Sequence, residues 1–237
     1  MKKLFIKKFG ACWKNCVLIN EQFGFRPGRS VCTQLVEVLG KISNYIENNN
    51  CVDVIYLDFK KAFDMVPHKR LLLKIQSVGV EVNSLKWISD FFYKRTQSVR
   101  IGNFISKPFP VSSGVPQGSV LGPLLFLIFV ADLPKSIKYS IIRMFADDTK
   151  IFRAISNSVD CELLQKDLDS LNNWSKTWLL NLNFDKCKVL RVGKSCEAEC
   201  KYFLESGQNS QVELAHVESE TDLGVVFDNK LNFKEHI

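Results

Sequence analysis

Apolar and polar positions recur along the chain with two periods, and the switches between them mark out the elements. After Ser30, the apolar residues Leu35, Val38, Leu39, Ile42 and Ile46 return at three- and four-residue steps. That spacing predicts a helix capped by Ser30 and broken at Asn48-Asn49-Asn50. Residues 52–57 are β-branched and apolar almost throughout, the pattern of a buried strand. Pro67 opens a second helix that runs to Val78 and stops at Gly79. A third covers 82–94, with Leu85, Ile88, Phe91 and Phe92 inward. Residues 96–101 and 104–111 pair as a hairpin around Gly102-Asn103. An apolar helix follows at 119–133, then strands at 140–145 and 149–155 with Ala146-Asp147-Asp148 between them. A long helix at 159–180 carries Leu164, Leu168, Leu171 and Trp178 on one stripe. Short strands at 188–192, 202–204, 212–215 and 223–227 complete the order. The mixture predicts an α+β fold whose sheet carries acidic residues at strand ends.

Composition adds a partner and removes some classes. The apolar fraction of 46% over 237 residues is enough for a core in one large or two small domains. Residues 1–150 hold 22 Lys and Arg against 11 Asp and Glu, whereas 151–237 hold 10 against 14. A basic first part fits either nucleic acid or a merely lysine-rich surface. The 8 cysteines include no CxxC pair, and only 3 histidines accompany them, so zinc-site spacing is missing. Reduced thiols in an intracellular protein, nuclear or cytoplasmic, are expected. The start alternates charged and apolar residues too soon for a signal peptide. The longest apolar run, 120–131, contains Gly122-Pro123 and falls short of the roughly 20 residues a bilayer span needs. It reads as a core helix, with no membrane partner.

Three carboxylates carry candidate chemistry. Asp58 directly follows the buried strand, and Asp147 and Asp148 sit in a tight turn after apolar Met144-Phe145. Taken alone, Asp147-Asp148 reads as an acidic β-turn. Adjacent acids repel, however, and persist most easily beside a cation. Oxygen-only donors select a hard ion, and Mg²⁺ takes one or two carboxylates plus substrate phosphates. If the sheet brings Asp58 beside Asp147, two ions about 3.5–4 Å apart would stabilise the attacking and leaving oxygens of a phosphoryl transfer.

The neighbouring segments decide between these readings. Tyr56-Leu57-Asp58-Phe59-Lys60-Lys61-Ala62-Phe63-Asp64 is followed by Ser113-Gly114-Val115-Pro116-Gln117-Gly118-Ser119 and then by Phe145-Ala146-Asp147-Asp148. In order and spacing these resemble palm motifs A, B and C of the reverse transcriptase of non-LTR (LINE-type) retrotransposons, of the jockey-like and chicken-repeat-like kind. Gln22-Phe23-Gly24-Phe25-Arg26-Pro27-Gly28-Arg29-Ser30 with Gln34-Leu35 resembles the fingers motif. Asn183-Phe184-Asp185-Lys186-Cys187-Lys188 resembles motif D, and Asp222-Leu223-Gly224-Val225 the primer grip of motif E.

The resemblance implies RNA-directed DNA synthesis on a DNA primer from dNTPs, with an antiparallel palm sheet backed by helices. It implies two Mg²⁺ ions, or Mn²⁺, held by Asp58, Asp147 and Asp148. Phe63 would be the steric gate that excludes a ribose 2′-OH. Gln117 and Gly118 would lie near the incoming base pair, where glycines let backbone approach closely. Lys186, or Lys188 in its place, would face the leaving pyrophosphate. Arg26 and Arg29 would contact the template. Asp64 is expected to be structural, and His68 to belong to the turn into the next helix. Residues 20–50 would be partial fingers and 51–237 palm, after a divergent segment at 1–19. A Tyr-Arg-Pro stretch typical of the family's fingers is not found, and the chain stops at His236-Ile237, so the thumb is expected to be absent. Two other outcomes stay open at this point: a non-catalytic nucleic-acid-binding remnant, and an inert fragment.

Overall fold

The computed structural model describes residues 19–48, 50–119, 121–193, 199–206 and 210–233. Cys12, Cys16, Cys196 and the final His236-Ile237 lie outside the described residues, as does all of the divergent segment except Ile19. The elements in chain order begin with α1 (Val31–Glu47), β1 (Cys51–Leu57), α2 (Ala62–Met65), α3 (His68–Ser77) and α4 (Val82–Phe92). Short strands β2 (Thr96–Gln97), β3 (Arg100–Ile101), β4 (Phe104–Ile105) and β5 (Phe109–Pro110) precede α5 (Leu121–Val130), β6 (Ile141–Phe145), β7 (Asp148–Ile155) and α6 (Ser158–Trp178). The last strands are β8 (Lys188–Val192), β9 (Phe203–Glu205), β10 (Gln211–Glu213), β11 (Ala215–Val217), β12 (Ser219–Asp222) and β13 (Val225–Asp228). They fall into two compact units, one built on Lys61–Ala131 and the other on Asn20–Lys60 and Asp132–Ile237.

The second unit is organised by a five-stranded sheet in the order β11-β8-β1-β7-β6. Its pairs are antiparallel except β11 with β8, which are parallel, so the sheet is mixed where an antiparallel one was expected. β1 is central and buried on both faces, which is why its sequence is apolar almost throughout, interrupted only by Asp53, instead of an alternation. Val52, Val54, Phe152, Leu190 and Val192 form one cluster with Leu35, Val38 and Ile42 of α1. α1 starts as its sequence signals: the Ser30 hydroxyl accepts from the Thr33 N–H, and the Thr33 hydroxyl accepts in turn from the Ser30 N–H. Leu164, Leu168 and Leu171 of α6 are fully buried, whereas Trp178 at the end of the stripe is half-buried.

Two departures concern this unit. The strand expected at 223–227 is the second arm of a hairpin, β12–β13, and Leu223 sits in its turn. Leu223 and Gly224 both have positive φ, 50° and 86°, as a two-residue type I′ turn requires. Cys161 and Cys200 form a disulfide across a sequence separation of 39, where reduced thiols were expected. The fold brings the start of α6 to a Cα–Cα distance of 5.6 Å from Cys200, a closeness that spacing along the chain does not reveal.

In the first unit α3 packs on α4 and α5. α5 is apolar on all sides and is buried at Gly122 and from Leu124 to Val130. Lys74 of α3 is buried as well, and its ammonium donates to the Phe129 carbonyl. The β2–β5 and β3–β4 pairs form one hairpin around Gly102-Asn103. Among the described residues, no helix is long and apolar enough to cross a membrane.

Candidate active site

Register places Asp58, Asp147 and Asp148 at one end of the sheet. The β1–β7 ladder ends at Leu57 opposite Thr149, so the chain leaves β1 at Asp58 beside the start of β7. The β6–β7 ladder ends at Phe145 opposite Asp148, leaving Ala146-Asp147 as a two-residue turn. Beyond β1 the chain stays paired: the Asp58 carbonyl accepts from the Asn183 N–H at 2.8 Å, and the Lys60 N–H donates to the Asn181 carbonyl at 2.8 Å. This run delivers Lys186 to the site, with its ammonium 4.0 Å from the Asp58 carboxylate. Lys188 is taken up by Glu220 at 3.0 Å. Of the two lysines left open by sequence, Lys186 is thus the one beside Asp58.

The electrostatics are those of an under-neutralised cluster. Burial raises the Asp147 carboxyl above its usual range, and Asp58 adds to the rise. Asp148 is pushed to about 6, first by burial, then by Asp147 and Asp222, with Lys150 opposing. Lys150 and Asp222 form a buried ion pair, so most of that lysine's charge is already committed. Asp58, Asp148, Lys150, Lys186, Glu220 and Asp222 line an open cleft. Asp147 belongs to the same electrostatic cluster without lining that cleft. Among the described residues, no three His, Cys, Asp or Glu stand close enough to form one ligand set. Successive side chains along a strand diverge. The donors are nonetheless all oxygen and short of positive charge. A hard cation would relieve both features, and Mg²⁺ needs only one or two of these carboxylates.

Glu220 and Asp222 were missed as members of the cleft. Asp222 stood out only as part of a motif, and Glu220 gave no signal. Arg26 and Arg29 are both engaged within the chain. The Arg26 guanidinium donates to the Gln22 carbonyl at 3.0 Å, and burial followed by the charge of Arg29 lowers its pKa. Arg29 lies 4.3 Å from the centre of the Phe23 ring and 3.6 Å from Glu37.

In the first unit, the residues around Phe63 and Gln117 assemble as a separate group. The Val115 N–H donates to the Phe63 carbonyl and the Gly114 N–H to the Val66 carbonyl, both at 2.8 Å. Gly114 has φ 93°, and a Cβ there would meet the Asp64 carbonyl oxygen at 2.8 Å, so only glycine lets the two segments run this close. The Gln117 amide donates to the Asp64 carboxylate at 2.9 Å. Phe63 stacks on Phe126 with ring centres 4.3 Å apart. Phe63, Gln117, Gly118 and Pro123 line one small pocket. His68 opens α3, its ring bonded to the Gly114 carbonyl at 2.8 Å.

The RNA-directed DNA polymerase from mobile element jockey of Drosophila melanogaster is 30% identical over 224 residues, covering 91% of this chain and 24% of that protein. The probable RNA-directed DNA polymerase from transposon BS of the same fly is 30% identical over 240 residues, covering 93% of the chain and 25% of that protein. The chain therefore spans about a quarter of the length of these curated relatives. Among solved structures, apo telomerase from Candida tropicalis shares the fold, with a TM-score of 0.62 at 14% identity over 98% of this chain and 39% of that one. The family described as reverse transcriptase (RNA-dependent DNA polymerase) matches residues 1–219. The chain belongs to the reverse transcriptase family, on the non-LTR retrotransposon side to which its motifs pointed.

Proposed function

We propose that this chain is the RNA-directed DNA polymerase core of a non-LTR retrotransposon, with residues 20–50 as part of the fingers and 51–237 as palm. One observation carries the reading: Asp58, Asp147 and Asp148 gather at one sheet end, where burial and mutual repulsion raise Asp147 and Asp148. These three residues would hold Mg²⁺, or Mn²⁺ in its place. Bound there, the cation would neutralise charge on the attacking and leaving oxygens.

The remaining steps belong to the chain's own side chains. Lys186, with a side chain 68% exposed and 4.0 Å from Asp58, would receive the departing pyrophosphate. Phe63, fixed on Phe126, fills the room that a ribose 2′-OH needs, so the pocket favours dNTPs. Gln117, anchored by Asp64, lies beside the nascent base pair. The hybrid of RNA template and DNA primer is held by backbone and shape. Residues 91–131 contain no acid and carry Lys94, Arg95, Arg100 and Lys107. Phe104 and Phe109 of the hairpin are 83% and 70% exposed, which gives that basic segment rings on which bases can stack.

The test is primer extension on poly(rA)/oligo(dT) with Mg²⁺, using the jockey polymerase with this chain exchanged for its matching stretch. Extension that is lost on Asp147→Asn supports the reading. Hybrid binding without extension in a folded chimera would favour the non-catalytic nucleic-acid-binding alternative.

A further inference from the structure

The turn that carries Asp147 and Asp148 is not held by its own hairpin alone. Ala146 occupies the first of the two turn positions at φ 57°, the left-handed region that favours glycine. A non-glycine residue stays there only when its surroundings enforce it. The enforcement comes from Gln22, 124 residues earlier and 1% exposed. Its side-chain oxygen accepts from the Ala146 N–H at 2.8 Å and from the Gly24 N–H at 2.8 Å, while its NH₂ donates to the Ala146 carbonyl at 3.2 Å. One amide thus satisfies both backbone groups of Ala146. The reverse amide orientation would aim NH₂ at two N–H donors, so the network fixes which atom is which.

The backbone around Gln22 reinforces the grip. The Met144 N–H donates to the Glu21 carbonyl at 2.9 Å, and the Phe23 N–H donates to the Met144 carbonyl at 2.8 Å. Gly24 lies flat against the turn, and a Cβ there would come within 2.4 Å of the Ala146 nitrogen.

We propose that Gln22, seated by Gly24, is a positioning residue that holds the Ala146-Asp147 turn in the geometry presenting Asp147 and Asp148 to a cation. This rests on the reading of those carboxylates as metal ligands. Glutamate at 22 has the same shape and could accept from both N–H groups, but it lacks the donor for the Ala146 carbonyl and adds a negative charge. Methionine fills the space with neither hydrogen-bonding function.

The test uses the full chain, with Mn²⁺ as probe. Hydrogen exchange of the Ala146 amide reads the clamp directly, and Mn²⁺ titration by electron paramagnetic resonance reads its consequence. Gln22→Met should speed Ala146 exchange at least about tenfold and weaken Mn²⁺ binding about 10–100-fold, the range typical of a lost residue that orients ligands. Should Gln22→Met fail to fold, Gln22→Glu carries the same test: faster Ala146 exchange and weaker Mn²⁺ binding are expected of it too. In an Ala146→Gly background, where the turn adopts positive φ unaided, the loss caused by Gln22→Met should shrink. Unchanged Ala146 exchange would overturn the clamp. Lost protection with unchanged Mn²⁺ affinity would overturn the positioning role and leave Gln22 a core residue. If the wild-type chain, which keeps Ala146 protected, binds Mn²⁺ no better than Asp147→Asn with Asp148→Asn, the ligand reading fails, and positioning fails with it.

Discussion

Asp53 and Asp58 belong to the same stretch of chain, one in the middle of β1 and the other just past its end, and the fold treats them oppositely. Asp53 is fully buried and saturated. Its two oxygens take hydrogen bonds of 2.7 Å from the Arg191 guanidinium, and one of them accepts a third from the Tyr202 hydroxyl at 2.7 Å. Register sets arginines on both sides of it, Arg153 on β7 and Arg191 on β8. Asp58 has a side chain 38% exposed, with Lys186 at 4.0 Å its closest cation among the described residues. Around it the acids Asp147, Asp148, Glu220 and Asp222 outnumber the lysines, two of which are bound in ion pairs. A carboxylate whose charge is answered within the chain is structural. At the sheet end, Lys150 and Lys188 are paired with Asp222 and Glu220, which leaves Lys186 as the cation beside Asp58. The contrast separates a scaffold aspartate from candidate ligands without reference to any motif.

The widest way to break this comparison is to truncate the buried member. Asp53→Ala removes the acceptor of two Arg191 hydrogen bonds and of the buried Tyr202 hydroxyl. Because Arg191 is 23% exposed, the loss should be about 3 kcal/mol, the lower end of what removing one partner of a buried pair costs. Urea denaturation of the metal-free chain should show a loss of that order. Asp58→Ala should change metal-free stability little or raise it, because it subtracts a charge from a repelling group. Equal losses from the two substitutions would dissolve the distinction.

The next effect concerns the cation. Asp147→Asn combined with Asp148→Asn should leave metal-free stability unchanged or higher. Wild type at Mg²⁺ one hundredfold above its Kd should gain about 2.7 kcal/mol, and the double variant nothing. Melting curves with and without Mg²⁺ measure this, and an equal shift in both proteins would remove these aspartates from the ligand set.

A smaller effect sharpens the choice between the two lysines. Lys186 is exposed and near Asp58, whereas Lys188 is tied to Glu220. In the polymerising chimera, Lys186→Ala should lower kcat about tenfold, or about 1.4 kcal/mol in the barrier. Lys188→Ala should act mainly on stability. Single-turnover extension rates distinguish the two, and the opposite ranking would transfer the role to Lys188.

How far such distinctions are legible in sequence depends on range. α1, β1, β8 and the turn at Gly102-Asn103 follow from local signals: a capping serine, a β-branched run, a Gly-Asn pair. These are decided within a few residues, so periodicity finds them. Leu223 was misread because its apolar side chain suggests a strand, while the turn type is set by backbone twist and by Gly224 beside it. The β11-β8-β1-β7-β6 order, the Cys161–Cys200 disulfide and the pairing of Lys150 with Asp222 all join distant segments. The basic excess of the first part pointed to nucleic acid. Yet several of its cations, Arg26, Arg143 and Lys150 among them, bond within the chain, so charge count overstated the surface left for a partner. Asp58, Asp147 and Asp148 were legible as motif residues. Their shortage of positive charge became visible only once Asp222 and Glu220 were seen beside them.

The smallest effect is a pH dependence supplied by Asp148. Asp148 is raised to about 6 in the fold, by burial first and then by Asp147 and Asp222. In an unfolded chain an aspartate titrates near about 3.9. Between those values the folded state binds more protons than the unfolded one, so stability falls as pH rises through the window. The favourable contribution is complete below the unfolded value and is lost above the folded one. Because the carboxyl reaches solvent, water screens the repulsion, and the swing should stay below about 1 kcal/mol. Stability measured in EDTA from pH 4 to pH 7 should therefore decline in wild type relative to Asp148→Asn, and the two curves should run parallel above the window. Asp147→Asn should produce part of the same flattening, since it removes one of the charges that raise Asp148. Added Mg²⁺ should reverse the trend in wild type, because a bound cation favours the ionised carboxylate that repulsion had opposed. A wild-type curve parallel to that of Asp148→Asn throughout the window would mean that the acidic end of the sheet is already neutralised within the chain, and the contrast with Asp53 would disappear.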